Sequence, residues 1–164
     1  MTPEQALFLS NFLLEGIEKE TQSTRKVIAT IPEAKRNYRP EPHSRTALEL
    51  AWHLAEGDVW FLEGIANAKF GPGGDMPGEI KSIADVLSWY DKKYPAALAR
   101  VRVLPAERLA QPVDFFGMLN LPVVSYLMIL NNHAMHHRGQ LTTYLRPMGS
   151  KVPNIMGGSF DQPM

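Results

Sequence analysis

Asn132-His133-Ala134-Met135-His136-His137-Arg138-Gly139-Gln140 carries three of the chain's five histidines inside an apolar stretch near the C-terminus. The period of this stretch is helical. At about 100° per residue, Tyr126, Ile129, Leu130, His133, His137, Gln140, Leu141 and Tyr144 share one face. Histidines four apart on an apolar stripe stand one above the other and point with it into a core. His136 falls at the edge of that face, roughly 60° from His133. The pattern predicts a helix that starts at Pro122, a residue suited to a first helical turn, and runs to about Arg146.

Three more helices precede it. Residues 2–30 read as the first, with Thr2 as cap, Pro3 in the first turn and Gln5 three residues after the cap. Ser44 is the expected cap of a second, over 45–68, which is apolar nearly all round and so predicted to be buried between neighbours. His53 sits in its first half. Gly71-Pro72-Gly73-Gly74 is loop by turn chemistry. Ser82 caps a third helix over 83–103, where Pro95 is expected to kink or split it. Residues 104–111 suggest a short helical turn, and 112–121 a turn or short extended piece around Phe115-Phe116-Gly117. With no internal repeat and no linker, residues 1–164 read as one all-α domain, a four-helix bundle. The connections at 30–44 and 104–121 are too long for a simple hairpin bundle and call for a crossover or chain wrapping the bundle ends.

Composition narrows the function. Lys plus Arg and Asp plus Glu each number 17, and no dense basic run occurs, which argues against a nucleic-acid partner. The absence of cysteine excludes disulfides and thiolate metal sites, so a transition metal would be held by His, Asp or Glu. No apolar run approaches the roughly 20 residues of a membrane span, and Met1-Thr2-Pro3-Glu4-Gln5 lacks the layout of a signal peptide. A cytoplasmic location is expected.

Buried rings at His133 and His137 need partners for their nitrogens. A metal ion satisfies both, and His53 on the second helix is the candidate third ligand. Packed core histidines without a metal are the competing reading. Glu49 and Glu56, four before and three after His53, are candidate orienting groups or a fourth ligand; for Glu49 a solvated charge is the simpler reading. His43, in the proline-rich loop, reads as a surface residue. Arg138 points away from the histidine face, toward a helix-to-loop or dimer-interface salt bridge, and Tyr126 and Tyr144 read as packing residues.

Other metal patterns fail. Ala134 follows His133 where a zincin needs Glu. No Glu stands three before His53, His133 or His137, so the di-iron pattern is missing. What remains is a three-histidine site with an open position, suited to Zn²⁺ or Ni²⁺, with Fe²⁺ as a further option. Three neutral ligands leave the full charge of the ion to acidify a bound water or thiol.

The same residues resemble a known family. A His in the second helix and His-x-x-x-His about eighty residues later resemble the DinB-like metalloprotein superfamily. So do Tyr38-Arg39-Pro40, the run Ser44 to His53, the block His136-His137-Arg138-Gly139-Gln140-Leu141 and the tail Pro153-Asn154-Ile155-Met156-Gly157-Gly158-Ser159. The resemblance covers nearly the whole chain. It implies an up-up-down-down bundle, a homodimer, and one divalent metal on His53, His133 and His137. It also implies a thiol S-transferase-like activity, in which a low-molecular-weight thiol bound as thiolate attacks an electrophilic small molecule. A non-catalytic bundle, with the metal structural or sensed, is the alternative.

Overall fold

The computed structural model describes residues 1–164. Its elements in chain order are α1 (Pro3–Ala29), α2 (Ala47–Asn67), α3 (Ile83–Arg102), α4 (Ala106–Ala110), β1 (Pro112–Phe115), β2 (Leu119–Pro122) and α5 (Ser125–Leu145). A single 3-10 turn, Glu33–Lys35, lies between α1 and α2.

Three of the four long helices begin with a reciprocal capping box. Thr2 and Gln5 close the start of α1, and Ser82 and Asp85 that of α3, as their spacing foretells. The start of α2 differs from expectation. Thr46, not Ser44, is the cap, and the Glu49 carboxylate accepts the Thr46 backbone N–H at 2.7 Å. The Ser44 hydroxyl turns instead to Glu41. Helix α3 continues through Pro95 without splitting.

Pro122 does not start α5. It ends β2, opposite Pro112 in a two-stranded antiparallel hairpin, where neither ring nitrogen is asked for a ladder hydrogen bond. The hairpin turn, Phe115 to Met118, closes with Met118 N–H on the Phe115 carbonyl at 3.0 Å. Both central residues have positive φ, 54° at Phe116 and 70° at Gly117. Such turns match the twist of a hairpin, but they ordinarily take Asn, Asp or Gly. A phenylalanine held there costs on the order of 1–3 kcal/mol.

The long helices form a four-helix bundle in which α1 and α2 each pack on both α3 and α5. Helices α1 and α2 barely touch, so they stand on a diagonal, and the chain must cross an end of the bundle between them. One continuous core fills the centre, with Leu50, Leu54 and Leu62 of α2, Tyr90 of α3, and Leu127, Leu130 and Leu141 of α5 almost wholly buried. Each such leucine contributes roughly 1.5–3 kcal/mol through burial. No helix is long and apolar enough to cross a membrane.

Arg138 is placed differently from the sequence reading. It is 2% exposed and faces α1, where its guanidinium donates to the Glu20 carbonyl at 3.0 Å and pairs with the Glu20 carboxylate. Helix α5 is thus buried on two sides, toward α2 through its histidines and toward α1 through Arg138. Nearby Asp58 is also buried, accepting a hydrogen bond from the Tyr90 hydroxyl at 2.6 Å while its Oδ1 has no partner in the chain.

Candidate metal centre

Adjacent packing of α2 and α5 brings His53 against His133 and His137. The Nε2 of His53 lies 3.1 Å from Nε2 of His137 and 3.2 Å from Nε2 of His133. The donor atoms of all three fall within 4.8 Å of one another, a group that could hold a metal ion. Ligands held about 2.0–2.1 Å from a tetrahedral ion stand about 3.3 Å apart, so the spacing of the ring nitrogens fits such an ion. A neutral imidazole nitrogen is either donor or acceptor, never both. His53 Nε2 faces two others at once, and the chain alone can satisfy only one of those contacts.

Gly57 makes this convergence sterically feasible. It lies one turn beyond His53 on α2, and a Cβ built on it would sit 2.4 Å from Cε1 of His133. Only glycine leaves room for the Cε1 edge of the His133 ring against the α2 backbone. One turn further along α2, Phe61 meets the same ring, with centroids 5.5 Å apart. Gln140, one turn along α5, faces Nδ1 of His137 through its amide oxygen at 3.0 Å. The proton therefore sits on Nδ1, and Nε2 presents its lone pair to the centre. Nδ1 of His133 is buried without a partner in the chain.

Electrostatics keep the rings neutral. Burial, then the charge of Arg45 and neighbouring His137, lower the pKa of His53 to about 4. Burial, then the charges of His137 and His53, lower that of His133 to about 4. His137 is also shifted down by burial, against the Gln140 hydrogen bond. Near neutral pH all three nitrogens are available as lone-pair donors.

The centre is open on one side. A cleft of about 430 Å³ borders His53 and His133, and a second of about 300 Å³ borders His53 near Arg45. Glu56 lines both but stands outside the converging donors, and burial pushes its carboxyl up. Glu49 is committed to the α2 cap and to Arg39, 3.8 Å away. His43 and His136 are exposed and outside the cluster. Neither tyrosine hydroxyl reaches the centre: Tyr126 donates to the Val113 carbonyl at 2.7 Å and Tyr144 to that of Arg45 at 3.3 Å. Gly57 shares the His53 face of α2 and reads from the sequence as a point of close helix approach, which the structure bears out; that the His133 ring fills the space is not legible there.

Comparison with known proteins follows the same lines. The model of the DinB family matches residues 6–163. An uncharacterized protein of Bacillus subtilis (strain 168), YrdA, is 27% identical over 149 residues, covering 88% of this chain and 86% of its own. A solved DinB-like protein from Bacillus cereus ATCC 10987 superimposes with a TM-score of 0.74 at 28% identity, covering 87% of this chain and 95% of its own. A DinB-like protein from Bacillus subtilis, YjoA, shares the fold with a TM-score of 0.71 at 22% identity, over 93% of this chain and 99% of its own. A mycothiol-dependent maleylpyruvate isomerase variant shares it more distantly, at 0.56 and 11%, over 86% of this chain and 61% of its own.

Proposed function

The chain belongs to the DinB family, and on that premise we propose that His53, His133 and His137 hold one divalent metal ion at which a thiol or water is activated. The convergence of three neutral ring nitrogens beside an open cleft carries this reading. The donor set suits Zn²⁺ or Ni²⁺, and Fe²⁺ less well. When bound, such an ion supplies a Lewis acid that lowers the pKa of a ligated thiol or water toward neutrality. The residues do the rest. Gln140 holds the tautomer of His137, Gly57 gives His133 its place, and burial keeps the rings unprotonated.

Thiol chemistry is favoured over a closed structural site because no fourth protein donor joins the three histidines. Thiol transfer is also consistent with a likeness in fold to a protein described as mycothiol-dependent. The partners of this reading are a low-molecular-weight thiol and an electrophilic small molecule, in a cytoplasmic homodimer. Exposed Phe8 and Phe12, one turn apart on α1, support the second copy. Replacing both by Glu should convert a dimer to a monomer in sedimentation, and a wild-type monomer would sink that part.

Elemental analysis of untagged wild type beside His133→Ala tests the centre. About one equivalent of Zn or Ni in wild type, lost in the variant, is expected. No metal in wild type, and none taken up from added Zn²⁺ or Ni²⁺, refutes the proposal. Assays with several thiols and an alkylating electrophile then separate an enzyme from an inert metal-binding bundle.

A further inference from the structure

The two clefts at the centre differ in character. They share His53, Glu56 and Gly74. The smaller is charged, with Arg45 and Asp75 in its walls. The larger is bordered by the aromatic rings of Trp60 and Phe61 and by three glycines that contribute no side chain. Glu56 is its one acidic group.

Trp60 is held in place from several directions. Its Nε1–H donates to the Gly71 carbonyl at 3.1 Å, which also anchors the glycine-rich loop over the cleft. Phe70 packs on it with centroids 5.3 Å apart. Phe116 lies parallel to it, planes 4° apart and centroids at 6.4 Å. Phe116 is 50% exposed and occupies the left-handed backbone conformation described above. The hairpin tip holds a bulky, half-exposed ring in a costly conformation, and that ring backs Trp60. A rigid aromatic wall loses little freedom when a flat group packs on it, and prefers such groups to polar or irregular ones.

We propose that the larger cleft seats a planar apolar group next to the histidine centre, so that the molecule reaching it carries an aromatic or similarly flat hydrophobic portion, with Trp60 as the specificity-determining residue. This rests on the open metal centre proposed above. In a thiol-transfer reaction the flat portion belongs to the electrophile, while the charged cleft takes the polar partner.

Two hydroxamates with the same metal-binding head test it on zinc-loaded protein by calorimetry. Benzohydroxamate carries a ring and acetohydroxamate does not, so the ratio of their Kd values isolates the wall. The expected ratio is about tenfold in favour of the ring in wild type. It should fall close to one in Trp60→Ala and remain above threefold in Trp60→Phe, which restores a flat side chain. A ratio near one in wild type, or an unchanged ratio in Trp60→Ala, overturns the inference and leaves the open metal centre standing. Failure of both hydroxamates to bind zinc-loaded wild type refutes the open position itself, and the inference with it.

Discussion

Gly57→Ala should damage the metal centre while leaving the bundle folded. The new methyl carbon would lie 2.4 Å from Cε1 of His133, against 3.4–4 Å for ordinary contact. The ring must therefore retreat by about 1 Å, the difference between those two figures. Ligand atoms tolerate only about 0.2 Å of displacement in a good metal site. Meanwhile, alanine is favoured over glycine in a helix by about 1 kcal/mol, which offsets part of an overpacking cost of about 1–3 kcal/mol. The apo variant should thus lie within about 2 kcal/mol of wild type, while zinc affinity drops at least tenfold, as for the loss of an orienting group. Gly16→Ala, where a Cβ meets nothing within 4 Å, is the control and should only stabilise. Chelator competition gives the affinity and urea unfolding of apo protein gives the stability. Zinc affinity within threefold of wild type would refute the claim that His133 is seated by the missing side chain.

Other perturbations probe separate parts of the structure. Burial raises the Asp58 carboxyl to about 7, so the folded state binds its proton more tightly than the unfolded chain. Its stabilising contribution is complete below about pH 4, is lost as pH rises through about 7, and amounts to about 4 kcal/mol. The stability difference between wild type and Asp58→Asn should change by that order across this window, and a constant difference would contradict the assignment. Arg138→Ala leaves the Glu20 carbonyl without its buried donor and should cost about 3 kcal/mol in urea unfolding; a loss under 1 kcal/mol would show that the α1–α5 pair contributes little. Gln140→Ala frees the His137 tautomer and should weaken zinc binding about tenfold without loss of stability, with an unchanged chelator titration as the contrary result.

Much of this architecture was legible in the sequence, for reasons that are local. The caps at Thr2 and Ser82 sit three residues before partners that can reach back, and two histidines at helical spacing on an apolar stripe mark an inward face. The misplaced α2 cap is instructive. Glu49 stands three residues after Thr46, which is the capping signal, but its position four before His53 equally makes it a candidate for the site. Pro122 could start a helix by itself; pairing with Pro112 across the hairpin decided otherwise, and that is a tertiary fact. Arg138 shows the same limit. A wheel says that it leaves the histidine face, whereas only the position of α1 says that it enters a second buried face. The cluster joining Trp60, Phe70, Phe115 and Phe116 draws on three separate segments with no shared period.

The diagonal placement of α1 and α2 also bears on how the chain reaches its native state. Helices that follow one another directly share almost no surface, so the first 67 residues cannot form a stable pair by themselves. Each must wait for α3 and α5, and the histidines that converge are 80 and 84 positions apart. Closing such long intervals costs more entropy than zipping a hairpin of neighbours, which slows folding relative to bundles of plain up-and-down order. The histidine cluster is complete only once α5 has docked on α2, so metal capture would report on that contact.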